Sequence, residues 1–553
     1  MFGPEIGRAA RLKVASSETL FRRVARLSPV VPLLLTAVYL LVLPFNLQRL
    51  LRIVFLNSDV ASIPVLSEQI ASGEGTAWIS IVTYYSTFLF NLATRWLPFH
   101  RGLWEGSSIV LALAGVVLMS WSARQAAGRG AGVLMFVLGA AASPLLLMNT
   151  LGLRGPTWFT VGLLSALLVL MVRVVESGTS RRLLVAAVVV TGAVTGVNLA
   201  SDPLLLASAI GPFLVAAVLA VLIVPTRKGH IAGASAGLCF LIAASAAITR
   251  LGMTHLGFSV GHQGAIDPAE VTFASGSIIG RNLGLFLTDM LTFTNGDFLG
   301  RPLSLASVAR LAIGIACLMS LCLPLVVLRR RLMLRSLSPA DGSAAPVLIA
   351  FWASSAALVA AGFVFSNIAF DGLASARYLV PVYYACAGCT AIWAANSSRQ
   401  RLAVALIATL ICLFSIKGQF SLVGTGEAER LSVDGPRVIS LLRDEGLSRG
   451  YSTYWDSLSL TWLSDMRVTI APVVDCLIPD RGLCAFPVNS FERWYQPGAA
   501  SRTFLLVGPE RPWGLRSPPP PLLGTATEVH KVGEFSVYVY SYDLALRIKP
   551  SKQ

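Results

Sequence analysis

The groups in this chain best suited to chemistry are one carboxylate and a few arginines. Asp59 stands in the run NSDV, just past an apolar stretch. A carboxylate there can act as general base toward a hydroxyl nucleophile. Arg377, Arg281 and Arg154 lie in polar loops or at the ends of apolar stretches. A guanidinium grips a phosphate through two parallel hydrogen bonds and can steady it as it departs. Asp202, Asp267 and Asp371 are further carboxylates in the same kind of position. Other signatures are missing: there is no GxxxxGK[ST] or HExxH, and only 5 histidines occur in 553 residues. ATP-driven transport and zinc hydrolysis therefore lack support.

The elements that must position these groups are apolar. About eleven stretches, near residues 29–47, 106–122, 131–149, 157–174, 183–200, 203–224, 232–252, 304–328, 345–366, 376–395 and 402–420, approach the roughly 20 residues a helix needs to cross a bilayer. The chain is 55% hydrophobic and 13% charged, against about 25% charged in a soluble domain. Basic residues fall in alternate loops: Arg8 to Arg26 in the N-terminal tail, then Arg124 and Arg129, Arg181 and Arg182, Arg227 and Lys228, Arg329 to Arg331, Arg399 and Arg401. The positive-inside rule places them in the cytoplasm with the N-terminus, and an odd number of spans then places the C-terminal tail outside. These loops account for much of the net charge of +16, so it does not signal nucleic acid. The basic start followed by a long apolar span reads as an uncleaved signal anchor.

The expected fold class is thus an α-helical polytopic membrane protein with about eleven transmembrane helices. A basic tail (1–28) precedes the membrane domain (29–420), which carries long outer loops at 48–105 and 253–303. A small extracytoplasmic α/β domain (421–553) follows. In the first loop, residues 60–72 read as a short helix and 79–97 as an apolar, aromatic helix at the membrane surface. In the tail, DGPRVISLLRDEGLSRG reads as a helix ending at glycine, SLSLTWLS as a helix, and RVTIAPVV, TFLLVG and EFSVYVYSY as strands. Six cysteines lie in apolar stretches as packing residues, CxxC at Cys386 and Cys389 included. Cys476 and Cys484 lie in the tail, where an oxidising compartment permits a disulfide.

Acidic and basic side chains from several loops are therefore aimed at one face, over a hydrophobic floor. That suits a polar, charged substrate attached to a lipid. With this layout the chain resembles the GT-C glycosyltransferases, integral membrane enzymes that take sugar from a polyprenyl-phosphate donor. The matching features are Asp59 soon after the first span, the two long outer loops, the outer C-terminal domain, and the runs ASDPLL (200–205), SARYLVP (375–381) and GYSTYWDSLSLTWLSDMRVTIAPV (450–473).

The resemblance implies an inverting transfer of a hexosyl or pentosyl group. It runs from polyprenyl phosphate to a glycan, lipid or protein acceptor, on the outer face of the cell (inner) membrane. Asp59 would be the base and Arg377 would hold the donor phosphate, helped by Arg281 or Arg154. Asp202, with Asp267 and Asp371, would contact substrate. Val60 follows Asp59 where some members carry a second acid. No metal ligand is assigned, and a divalent ion, Mg or Mn, is the one cofactor left open. Other readings of the same residues are a helix N-cap for Asp59 and a headgroup-reaching side chain for Arg377. For the whole chain the alternatives are a transporter or lipid-linked-sugar flippase without glycosyl transfer, an O-antigen-ligase-like enzyme with diphosphate-linked donors, and a non-catalytic assembly protein. The near absence of charge inside the apolar stretches argues against transport.

Overall fold

The computed structural model describes residues 24–25, 27–55, 58–73, 77–79, 85–97, 100–152, 154–177, 181–224, 228–256, 258–260, 272–337, 344–369, 375–420, 426–476, 482–486, 488–498, 501–509 and 514–550. Asp267 and Asp371 lie outside the described residues. Among the described residues, 8 helices are long and apolar enough to cross a membrane. Three shorter apolar helices, Val30–Asn46, Arg129–Ala140 and Val380–Ala394, accompany them. Together they occupy the positions of the eleven apolar stretches.

One stretch differs from expectation. Residues 131–149 do not form one helix but two, Arg129–Ala140 and Pro144–Gly152. Pro144 has no N–H to continue a helix but suits the first position of a new one.

Between helices in lipid, association depends on close packing rather than on water exclusion. The His100–Ala127 and Gly155–Ser177 helices meet at Gly115 and Gly162. A Cβ on Gly115 would stand 2.4 Å from the Trp158 carbonyl oxygen, and one on Gly162 would stand 2.6 Å from that of Gly115. Only hydrogen fits between these backbones.

Three of the basic connections lie together at one end of the bundle. Arg173 donates to the Gln125 carbonyl, and Arg401 lies against Gly130. At the other end the long loops fold back. Helix Ser58–Ala71 replaces the expected 60–72 helix and begins earlier. Among the described residues of 79–97, the helix is Tyr85–Thr94, shorter than expected, after strand β1 (Ala77–Ile79). β1 pairs in parallel with β2 (Phe258–Val260) from the second long loop, where Phe88 meets Phe258 edge to face.

The C-terminal α/β domain holds β3 (Arg449–Ser452), β4 (Thr469–Asp475), β5 (Leu483–Ala485), β6 (Ser490–Phe491), β7 (Thr503–Val507), β8 (Glu528–Val532) and β9 (Phe535–Tyr540). Its six-stranded sheet runs β5-β4-β3-β7-β9-β8. β3 is parallel to β4 and β7, and the other pairs are antiparallel. Helix Gly426–Asp444 packs Leu431, Val438 and Leu442 against Phe504, Phe535 and Val537. That helix ends as its sequence suggests. Gly446 turns to φ 65°, and Leu447 N–H returns to the Leu442 carbonyl at 2.7 Å, the glycine-capped ending. Cys476 and Cys484 are disulfide-bonded between β4 and β5. β6 leaves the main sheet and pairs antiparallel with β1. One three-stranded sheet, β2-β1-β6, thus ties both long loops to the C-terminal domain.

Helix Gly276–Phe293 of the second long loop carries a carboxyl that packing alone does not explain. Asp289 is 2% exposed, and among the described residues its Oδ2 has no hydrogen-bond partner. Burial pushes its carboxyl up to about 7. A folded value above the unfolded one means stability that is full below about pH 4 and lost as pH rises through about 7. We therefore expect Asp289→Asn to match the wild type in thermal unfolding at about pH 4 and to exceed it increasingly toward pH 8. Parallel melting curves at all pH values would refute this.

Candidate functional site

Asp59 is the second residue of its helix, not the cap, and lies in the first turn, where the helix dipole favours negative charge. The turn is pinned to the C-terminal domain. Ser58 Oγ donates to the Trp455 carbonyl at 3.0 Å and lies 3.3 Å from Ser459 Oγ. Both partners belong to helix Tyr454–Leu463.

Two donors from distant segments hold the Asp59 carboxylate. Tyr454 O–H donates to Oδ1 at 2.8 Å, and Arg377 Nη1 donates to Oδ2 at 3.2 Å. Asn489 Nδ2 in turn donates to Tyr454 Oη at 2.8 Å. Burial first, then the charge of Asp59, hold the Tyr454 hydroxyl well above the usual phenol range, so it stays protonated. Arg377 comes from the short 3-10 turn Ser375–Tyr378, just before helix Val380–Ala394, whose start carries Pro381. Its Nη2 also reaches Tyr378 Oη at 3.2 Å. The Arg377 and Asp59 side chains are 24% and 21% exposed, so this pair keeps one side open to a ligand.

A closed pair lies next to it. Arg154 and Asp202 stand 3.6 Å apart, almost wholly buried. Asp202 also accepts from Thr157 Oγ1 at 2.6 Å and from the Leu204 N–H at 3.2 Å. Asp202 was expected to contact substrate. The structure places it buried, with these three partners, Arg154 among them. Arg154 was expected beside Arg377 on a phosphate; it too is buried, and among the described residues its Nε and Nη1 make no hydrogen bond. Its guanidinium lies 5.3 Å from the Tyr378 ring centroid, and that of Arg377 lies 5.1 Å from it. One aromatic ring thus neighbours both cations, within the range of a cation–π contact.

Arg281 donates to the Ala369 carbonyl at 2.8 Å. Asn282 donates to the carbonyls of Phe363, Val364 and Ser366. Together they brace the segment that leads toward Arg377, a backbone role the sequence did not suggest for Arg281. Tyr454, Asn489 and Tyr378 were not foreseen as site residues, although Tyr454 and Tyr378 lie inside the runs GYSTYWD and SARYLVP. Their ring hydroxyls were the available signal.

The donor set around Asp59 does not fit a metal ion. Among the described residues, both of its oxygens already meet donors, one of them a cation. The one cluster there with three ligand atoms mutually within 4.8 Å is Glu445, Glu528 and His530. It lies in the C-terminal domain, and Arg502 already sits on it, 3.3 Å from Glu445 and 2.9 Å from Glu528.

No family model and no curated protein sequence matches the chain. Among solved structures, the chain resembles ArnT from Cupriavidus metallidurans bound to undecaprenyl phosphate. The TM-score is 0.50 at 12% identity, over 91% of this chain and 97% of that one. The apo state of the same protein gives 0.47 at 12% identity, over 91% and 98%. An oligosaccharyltransferase from Archaeoglobus fulgidus, tethered to an acceptor peptide, gives 0.38 at 11% identity, over 83% and 64%. The fold of this chain is thus similar to that of ArnT from Cupriavidus metallidurans.

Proposed function

We propose that this protein is a membrane glycosyltransferase that moves a sugar from a polyprenyl-phosphate donor to a hydroxyl of a glycan, lipid or protein acceptor. The observation that carries the reading is the Asp59–Arg377 pair, a base and a phosphate-binding cation side by side and open on one face. Undecaprenyl phosphate in the ArnT structure supports a donor of this class. In the reaction, the acceptor oxygen forms a bond to the anomeric carbon from the side opposite the phosphate. Asp59 takes the hydroxyl proton. The bond from the anomeric carbon to the phosphate oxygen breaks, its electron pair stays on that oxygen, and polyprenyl phosphate leaves. Arg377 stabilises the charge it gains. The sugar inverts, and no step involves a metal.

The Asp59 site would face the outside of the cell (inner) membrane, with the arginine-rich end in the cytoplasm. A cysteine at Val433→Cys, in the exposed face of the first tail helix, should react with an impermeant maleimide in intact cells. One at Ser397→Cys should react only after permeabilisation. The reverse pattern would overturn both the topology and the site assignment.

As base, Asp59 should be worth about 10²–10⁴-fold in rate. Asp59→Asn and Asp59→Ala should fold normally and lose that much transfer from a panel of undecaprenyl-phosphate-linked hexoses and pentoses. An active Asp59→Asn enzyme would end the reading. Arg377 should act through its planar fork as well as its charge. Titrated with undecaprenyl phosphate, Arg377→Lys should bind more weakly than wild type, and Arg377→Ala should scarcely bind. Near-normal affinity in both variants would assign Arg377 to the headgroups instead.

A further inference from the structure

We infer that Tyr454, a residue of the C-terminal domain, is a positioning residue for the reaction at Asp59, and that Asn489 sets the direction of its hydroxyl. The inference rests on the proposed role of Asp59 and deepens it, because it makes the C-terminal domain part of the active site.

A phenol can donate or accept, so which way its proton points must be fixed by its surroundings. An amide Nδ2 can only donate. Asn489 places one at 2.8 Å from Tyr454 Oη and thereby fills the accepting side. The proton is left for Asp59 Oδ1, also at 2.8 Å. The order Asn489, Tyr454, Asp59 is therefore a one-way chain of donors.

Each link is held from outside. The Tyr454 ring is wedged by Trp455, at 5.2 Å and 72°, and by Phe486, at 5.7 Å and 57°. Asn489 adopts φ 48°, a left-handed backbone that asparagine tolerates better than most residues. It immediately precedes β6, whose Ser490 and Phe491 pair with Trp78 and Ala77 of the first long loop. The sheet that joins the domain to the loop thus also sets the asparagine that aims the tyrosine.

The consequence for Asp59 is geometric. With Tyr454 on Oδ1 and Arg377 on Oδ2, rotation of the carboxylate about its Cβ–Cγ bond is blocked. A base held this way is placed before substrate arrives, and loosening it should slow proton transfer more than it weakens donor binding.

The test compares Tyr454→Phe, Asn489→Gly and the double variant in full-length protein, using the undecaprenyl-phosphate-linked sugar that the wild type accepts. Phenylalanine keeps the ring and removes only the hydroxyl. Glycine keeps the left-handed backbone and removes only the amide. Tyr454→Phe should lower kcat about 10- to 100-fold with KM for donor changed less than about threefold. Asn489→Gly should lower kcat less. The double variant should be no slower than Tyr454→Phe alone, since Asn489 acts through the hydroxyl.

A kcat within twofold of wild type in Tyr454→Phe, with Asp59→Asn inactive, overturns this inference and leaves Asp59 as base. An active Asp59→Asn overturns the base itself. If Tyr454→Phe melts too low to assay, Asn489→Gly decides alone: an unchanged kcat refutes the relay, and a lowered kcat at unchanged KM upholds it.

Discussion

The Asp59 carboxylate is the charge around which three distant parts of the chain are arranged. Its helix follows the first apolar span, Arg377 precedes Val380–Ala394, and Tyr454 begins a helix of the C-terminal domain. None of these segments needs the others for its own backbone hydrogen bonds. What brings them together is the cost of leaving a charge at the edge of an apolar bundle without donors. Arg377 supplies charge and Tyr454 supplies a neutral donor. The rest of this end of the molecule, the β2-β1-β6 sheet included, keeps the two within reach.

The buried Arg154–Asp202 pair does a different task. Replacing a buried ion pair by apolar side chains is often neutral for stability, so such a pair is better read as fixing one arrangement than as strengthening the fold. Thr157 and the Leu204 N–H leave Asp202 no alternative partner to choose. Arg154 is thereby parked against Tyr378, and Tyr378 in turn faces Arg377. The open pair and the closed pair are coupled through a ring that itself carries no charge.

Much of this was legible from the residues. Hydropathy located the apolar helices because a span has little freedom in length or composition. The tail strands TFLLVG and EFSVYVYSY were legible from their β-branched and aromatic content, and the end of Gly426–Asp444 from its glycine. The break at Pro144 was misread, since a proline inside an apolar run can start a helix as well as kink one. The short strands β1, β2 and β6 were invisible, because two or three residues carry no periodicity and depend on partners far away in sequence. For the site, Asp59 and Arg377 stood out as charges in apolar surroundings. Tyr454 did not, because a tyrosine among aromatic neighbours looks like packing. Asp202 looked available for the same reason that Asp59 did. Only the three-dimensional arrangement separates a carboxylate that is closed in by threonine and arginine from one that is left open.

The β2-β1-β6 sheet also imposes an order of assembly. β1 and β2 are separated by most of the membrane helices, and β6 lies near residue 490. The spans must be laid down one after another while the first long loop waits with its strand unpaired. Asn489 and Tyr454 arrive last. A nascent or truncated chain would already possess Asp59 and Arg377, yet its carboxylate would lack the donor that aims it. The geometry at Asp59 therefore becomes complete only when nearly the whole polypeptide has been made, so that half-built molecules embedded in the membrane hold an unfinished site.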